Sequence, residues 1–300
     1  MSHVLSLFDG ISCGLLALDR AGIPVTGYYA SEIDKQAQAV SHRHHGSRIV
    51  RIGDVSKMSY ANGVLTTENG TYDVPGGFQL VIAGSPCTTV SVAGDGSGFE
   101  GESGLYWHFS RILKEVQPDA WMLENVKMKA EWRDVISADL GVEPVLINSH
   151  HFSGQHRMRY YWTNFLIDNL PERGVSLESV LLPLAEVQDL AHTAKAIAYM
   201  DRISVGKTST RSKWSFKYHS DTANGKSQCV VSNFTRGVPN NVLIDRRVDP
   251  PLIRKFHPVE CERLQTLPDG YTEGVGVGHR YQMIGNGWTV DVVAHILSSI

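Results

Sequence analysis

Cys87 is the residue whose type and position point most directly to covalent chemistry. It follows Gly84-Ser85-Pro86 at the end of an apolar run, 78–83, and precedes a glycine-rich stretch, 94–104. A thiol becomes a good nucleophile when nearby cations or a helix N-terminus lower its pKa from ~8.5. We therefore predict a catalytic role for Cys87 and a lid role for the glycine-rich stretch, although a lone cysteine is more often a small buried residue.

Two further segments offer polar groups at the ends of apolar runs. Glu124 and Asn125 follow the apolar run 120–123, and an acid in that position is costly unless it has a partner or a task. Arg157 and Arg159 are two residues apart, so an extended chain places them on one side. They are candidates for a functional site, or for a solvated or salt-bridged sheet edge.

Acids also follow the first three apolar runs. They are Asp9 in the turn Phe8-Asp9-Gly10, then Glu32, then Asp54. Singly, each is typical of a cap or turn, but together they favour a nucleoside pocket in which Glu32 accepts from ribose hydroxyls. The glycine spacing after the first run is not GxGxxG, which disfavours a dinucleotide oxidoreductase.

These groups need a sheet to position them. Short apolar runs alternate with amphipathic stretches, which predicts an α/β fold with a largely parallel sheet, and ligands of such sheets bind at the strand ends. Strands are predicted at 3–8, 25–30, 48–52, 78–83, 120–123, 142–148 and 159–167, and helices at 10–21, 35–44, 105–116 and 281–300.

Composition excludes some classes of protein. The chain has 300 residues, 42% hydrophobic and 20% charged, so neither a disordered chain nor a membrane protein is indicated. It has no secretion signal and no apolar run long enough to span a bilayer. The four cysteines are scattered without metal-ligand or disulfide spacing, so we expect a cytoplasmic protein and no metal site.

The net charge of −3 conceals an uneven distribution. Residues 201–255 contain 11 Lys and Arg against 4 Asp and Glu, a net +7, which leaves −10 elsewhere. A local basic region attracts phosphates whatever the total charge. The alternating pattern ends near 168, so we predict a catalytic and cofactor-binding domain, 1–167 plus 281–300, and a smaller domain, 168–280.

Eight motifs in order resemble the DNA cytosine-5 methyltransferase family over nearly the whole chain. They include the Pro-Cys motif at Cys87, the Glu-Asn-Val motif at Glu124, and the Gln-x-Arg-x-Arg motif from Gln155 to Arg159. The others are 7–10, 31–34, 53–55, 260–271 and 282–286. Ser85 departs from the family pattern, where Phe is common.

The resemblance implies a Rossmann-like, S-adenosyl-L-methionine-dependent methyltransferase sheet with a smaller target-recognition domain. It implies a methyl transfer to C5 of a flipped-out cytosine through a covalent bond from Cys87 to ring C6. Glu124 would hold N3 and the exocyclic amine, Arg159 would contact O2, and Arg157 would support the pocket. The cofactor residues implied are Phe8, Asp9, Gly10, Glu32, Ile33, Asp54, Val55 and Asn286.

The resemblance further implies double-stranded DNA as the partner and a setting such as restriction-modification. We expect a monomer of bacterial or phage origin. Two alternatives remain open. One is a tRNA cytosine-5 methyltransferase of the same fold, although its Cys-Phe-Thr signature is not seen. The other is a catalytically silent DNA-binding homologue, although such a protein would be expected to lack Cys87 or Glu124.

Overall fold

The protein divides into two units that interleave along the chain. A computed structural model describes residues 2–86, 102–204, 220–238 and 240–300. The first unit comprises Met1–Asn148, Met158–Leu170 and Val290–Ile300, and the second comprises Ser149–Arg157 and Pro171–Thr289. Cys87, most of the predicted lid and the basic segment 205–219 lie outside the described residues.

A seven-stranded sheet forms the centre of the first unit. The strands are β1 (Ser2–Leu7), β2 (Val25–Ser31), β3 (Ile49–Arg51), β7 (Leu80–Gly84), β8 (Ala120–Val126), β9 (Val145–Asn148) and β10 (Met158–Thr163). Their order in the sheet is β3-β2-β1-β7-β8-β10-β9, and only β10 runs antiparallel to its neighbours. The chain leaves β1 toward β2 and returns on its other side as β7, which creates the switch point where α/β sheets bind ligands.

The predicted sheet is therefore confirmed, with small shifts at the strand ends. The central strands are apolar on both faces, as expected for parallel strands covered by helices. The first-unit helices are α1 (Cys13–Ala21), α2 (Lys35–His45), α3 (Tyr106–Val116), α4 (Ala130–Leu140) and α8 (Val290–Leu297). None of the helices within the described ranges is long and apolar enough to cross a membrane.

A small antiparallel sheet between β3 and β7 was not predicted. It consists of β4 (Ser59–Ala61), β5 (Val64–Thr67) and β6 (Gly70–Asp73). The turn between β4 and β5 has positive φ at both Asn62 (53°) and Gly63 (78°). Asn-Gly is the dipeptide that such two-residue hairpin turns prefer, so a sequence signal was present.

The second unit has short elements around its own apolar core. They are α5 (Ala194–Ser204), β11 (Ser220–Asp221), β12 (Leu243–Asp245), β13 (Leu252–Arg254), α6 (Pro258–Leu264) and α7 (Val277–Asn286). Its core includes Leu243, Phe256 and Ile284. Buried Arg254 pairs with Asp245 at 3.1 Å and with Glu260 at 2.8 Å.

The single helix predicted at 281–300 is wrong. The chain forms α7 and α8, separated by Gly287, Trp288 and Thr289. Gly287 is extended at the end of α7, and Trp288 and Thr289 are buried, so packing interrupts the helical pattern. Residues 149–157 and 281–289 fall in the second unit, whereas the sequence-based boundaries assigned them to the first.

Candidate active site

The turn after β1 has an unusual backbone. Phe8, Gly10 and Ser12 have φ of 58°, 57° and 61°, a left-handed region that Phe and Ser seldom adopt. Because residues 8–12 form this turn, α1 begins at Cys13 and not at residue 10 as predicted. Strained backbone of this kind persists only where surrounding bonds enforce it, and it concentrates at binding sites.

Asp9 supplies those bonds. Its carboxylate accepts from the hydroxyls of Ser6 and Tyr28, each at 2.7 Å, and from the Ser12 hydroxyl. Arg51 Nη1 lies 3.5 Å away. The Asp9 side chain is fully buried, and burial raises its pKa despite these partners. Asp9 was predicted to be a cofactor residue, but its buried carboxylate bonds to protein groups and stabilises the conformation of the turn instead of facing a ligand.

Glu32 joins the end of β2 to this turn. Its Oε2 accepts from Gly10 N at 2.8 Å, and its Oε1 accepts from Ile33 N at 2.8 Å and Asp34 N at 2.7 Å. Burial is the main reason that the Glu32 pKa is raised. A carboxylate accepts about four hydrogen bonds, so roughly one position remains for a ligand hydroxyl. The neighbouring Ile33 side chain is 68% exposed, an apolar surface beside that position.

The loop after β3 carries the third acid. Asp54 Oδ1 accepts from Ser56 N at 2.8 Å, and this bond is the main reason that the Asp54 pKa is lowered. Its backbone N donates to Glu68 Oε1 at 2.9 Å, and Glu68 Oε2 also binds Lys57 Nζ at 2.7 Å. Val55 is buried in the core, so only its backbone can face a ligand.

The ends of β7 and β8 place the segment before Cys87 beside Glu124. Gly84 is paired with Glu124 in the parallel register. Asn125 Nδ2 donates to the buried Ser85 hydroxyl at 3.0 Å. The serine that departs from the family pattern therefore provides an acceptor, which links the Pro-Cys segment to β8.

Glu124 forms an ion pair with Arg159 on the adjacent antiparallel strand. Arg159 Nε lies 3.0 Å from Glu124 Oε1, and the side chains are only 14% and 10% exposed. Arg159 Nη1 also donates to the Met158 carbonyl at 2.9 Å. The arrangement holds a carboxylate and a guanidinium together at the carboxyl end of the sheet.

Arg157 belongs to the second unit and has different surroundings. Its buried guanidinium donates to the backbone carbonyls of Val230 at 2.9 Å, Gly285 at 3.1 Å and Gly287 at 2.9 Å. These bonds tie three backbone segments together. A role in positioning the backbone fits this geometry better than contact with a reacting base.

The motifs around Gln155 and Asn286 also meet inside the second unit. Gln155 Nε2 donates to Gln265 Oε1 at 2.9 Å, and Gln265 Nε2 donates to the Gly287 carbonyl at 2.9 Å. A Cβ on Gly285 would lie 2.2 Å from Ser232 N, so glycine is needed for this close approach. Asn286 is exposed at the end of α7.

The first unit thus brings Phe8, Gly10 and Glu32 together, and separately pairs Glu124 with Arg159. Sequence reasoning did not assign roles to Asn125, Glu68 or Tyr28. Asn125 lies within a recognised motif, so a sequence signal was present. Glu68 and Tyr28 lie outside the motifs, and only the folded structure shows that they bond to Asp54 and Asp9. Sequence spacing also gave no sign that His150, His151 and Glu172 would meet in the second unit.

Comparison with known proteins gives the family. The model of the C-5 cytosine-specific DNA methylase family matches residues 2–163 and 184–300. Type II methyltransferase M.HpaII of Haemophilus parainfluenzae is 28% identical, with 96% of this chain and 86% of that protein covered. Type II methyltransferase M.NlaX of Neisseria lactamica is 27% identical, with 99% and 95% covered. The crystal structure of S. pombe Dnmt2 methyltransferase shares the fold, with a TM-score of 0.70 at 17% identity over 99% of this chain and 97% of that one. The protein belongs to the C-5 cytosine-specific DNA methylase family.

Proposed function

We propose that this protein methylates C5 of cytosine in double-stranded DNA, with S-adenosyl-L-methionine as the methyl donor and Cys87 as the nucleophile. The observation that carries the proposal is the Glu124–Arg159 pair beside Gly84, three residues before Cys87. A carboxylate and a guanidinium together present the acceptor and donor groups that the edge of a cytosine requires.

The turn after β1 and the end of β2 fit a nucleoside-containing cofactor. Glu32 has an acceptor position left for a ribose hydroxyl, and Ile33 offers an exposed apolar surface for a flat ring. Asp54 and the Val55 backbone would lie toward the base, with Phe8 and Gly10 shaping the turn. S-adenosyl-L-methionine supplies an electrophilic methyl group on sulfonium.

The residues of the chain then have separate tasks. The Cys87 thiolate forms a bond to ring C6 of a cytosine extruded from the duplex, which makes C5 nucleophilic. Glu124 accepts a hydrogen bond from the exocyclic amine and shares a proton with ring N3 as negative charge develops on the ring, and Arg159 donates to O2. After methyl transfer, loss of the C5 proton to water reforms the C5–C6 double bond and releases the thiolate.

Bisulfite sequencing tests the activity. DNA from cells that express the wild type should contain 5-methylcytosine in a defined sequence context, and Cys87→Ala should abolish it. Cys261→Ala, the same substitution in the core of the second unit, should retain methylation. Absence of 5-methylcytosine in wild-type DNA refutes the proposal. Bisulfite sequencing of tRNA from the same cells distinguishes the alternative substrate.

The second unit is proposed to recognise the DNA sequence. Two arginines of the basic region already have protein partners, because Arg246 pairs with Asp221 at 2.8 Å and Arg247 with Asp245 at 2.6 Å. Charge available for phosphates must therefore come mainly from other residues of the region. Four are Lys207, Arg211, Lys213 and Lys217, all outside the described residues.

Replacing those four residues with glutamine should weaken DNA binding and reduce its dependence on salt. Substitution of Arg247, which is partly buried and pairs with the buried Asp245, should instead lower stability. An unchanged salt dependence in the fourfold variant would place these side chains away from DNA.

A further inference from the structure

Two histidines and a glutamate meet in the second unit. His150 and His151 lie in a short 3-10 turn, Ser149–His151, directly after β9. Each of them and Glu172 offers a ligand atom within 4.8 Å of the others. His151 Nδ1 lies 2.5 Å from Glu172 Oε1. The histidines are partly buried, and Glu172 is exposed.

Backbone contacts hold the two segments together. The His151 carbonyl accepts from Arg173 N at 3.0 Å. Lys226 Nζ donates to the carbonyls of His150 at 2.8 Å, Ser153 at 2.9 Å and Val175 at 2.7 Å. These bonds hold the backbones of the two segments that carry the potential ligands next to each other.

A third imidazole is nearby. The ring centroid of His150 lies 4.1 Å from that of His151 and 5.5 Å from that of His156. The neutral imidazole is the form that binds metals. The Arg173 guanidinium is directed over the Phe152 ring, 5.1 Å from its centroid.

We propose that His150, His151 and Glu172 bind one divalent transition-metal cation of the Zn²⁺ class, with His156 as a further candidate ligand. Imidazole nitrogen and carboxylate oxygen are suitable ligands for such cations. Two ligands of tetrahedral zinc are about 3.3 Å apart at ordinary bond lengths, so the His151–Glu172 contact must open slightly. The exposure of Glu172 permits that movement.

The metal would act as a structural link. It would join the segment that carries Gln155 and Arg157 to the segment around Glu172, at one place in the second unit. The proposed methyl transfer does not depend on this metal, so failure of either proposal leaves the other standing.

Calorimetric titration of the purified, chelator-treated full chain with Zn²⁺ tests the proposal. The wild type should bind one equivalent, and Zn²⁺ should raise its melting temperature. His151→Ala and Glu172→Gln should each weaken binding at least about tenfold and reduce the thermal shift. The exposed pair His42→Ala and Glu131→Ala provides a matched control and should bind like the wild type.

Cobalt substitution identifies the donor atoms. The Co²⁺ complex should show visible bands of nitrogen and oxygen ligation without a thiolate charge-transfer band, and binding should persist in Cys87→Ala. His151→Gln provides a milder variant if His151→Ala does not fold. The proposal would be overturned if the wild type showed no saturable Zn²⁺ binding, or if the His151 and Glu172 variants bound Zn²⁺ as tightly as the wild type. Loss of Zn²⁺ binding in Cys87→Ala would also overturn it.

Discussion

Glu32→Gln is the substitution that tests the cofactor site most directly. The carboxylate accepts one backbone N–H on Oε2, from Gly10, and two on Oε1, from Ile33 and Asp34. A glutamine has one acceptor oxygen, and we expect it to accept from the two backbone N–H groups of Ile33 and Asp34. Its NH₂ group then faces the Gly10 N–H, and the position proposed for a ribose hydroxyl loses its charge.

The size of the effect follows from these bonds. A hydrogen bond to a charged group contributes about 1.5–3 kcal/mol. Loss of the bond to the ligand hydroxyl should therefore weaken binding of S-adenosyl-L-homocysteine by about 2 kcal/mol, which is about 30-fold. Loss of the Gly10 bond should separately lower the free energy of unfolding of the unliganded protein.

A thermodynamic cycle that combines Glu32→Gln with removal of the ribose hydroxyls from the ligand separates the lost ligand bond from the lost Gly10 bond. Calorimetry should compare wild type and Glu32→Gln with S-adenosyl-L-homocysteine and with an analogue that lacks the ribose hydroxyls. The penalty of the substitution should be smaller for the deoxy ligand. An equal penalty would show that Glu32 acts only through the turn, and an unchanged affinity for both ligands would refute the assignment. Glu131→Gln, an exposed position, serves as the control.

The pH dependence gives an independent check. Burial raises the Glu32 pKa above its ordinary 4.5, and the ionised form is the one that accepts from the ligand. Wild-type affinity should therefore fall as the pH decreases through that raised pKa. Glu32→Gln should lack this component, so identical pH profiles would contradict the role.

Three further substitutions have defined outcomes. Burial, with Arg48 next in effect, lowers the His45 pKa from 6.5 to about 4, so the unfolded chain takes a proton that the folded one does not. Stability in urea should fall between pH 6.5 and 4 by at most about 3 kcal/mol, and His45→Gln should remove this slope; an equal slope would exclude His45 as its origin. Arg254→Met should cost about 3–5 kcal/mol in denaturant unfolding because Asp245 and Glu260 lose a buried partner, and a loss below about 1 kcal/mol would contradict this. Glu68→Ala should raise KM for S-adenosyl-L-methionine without changing kcat because the backbone at Asp54 loses its anchor, whereas a reduced kcat alone would argue against that role.

The strand pattern was predictable because each central strand is a buried run with an abrupt polar end. The rule that parallel sheets bind ligands at those ends then indicated Glu32 and Glu124 without any knowledge of contacts. The rule could not show which way an acid faces. Asp9 and Glu32 follow neighbouring strands, yet Asp9 is buried because Tyr28 and Ser12 surround it.

Long-range contacts account for most of what the sequence could not predict. The bonds from Arg157 reach carbonyls more than 70 residues away. The break between α7 and α8 depends on the burial of Trp288, which helical periodicity does not reveal. His150 and His151 are adjacent rather than spaced as metal ligands usually are, and their carboxylate partner lies on another segment.

The packing of α8 against α1 has a consequence for biogenesis. Arg20 pairs with Asp291 at 2.6 Å, and the apolar face of α8, including Val293 and Ile296, is buried within the first unit. On the ribosome α1 is synthesised long before α8. We therefore expect the nascent first unit to expose the apolar surface that α8 covers while the second unit is being translated, and exposed surface of this kind favours aggregation or chaperone binding.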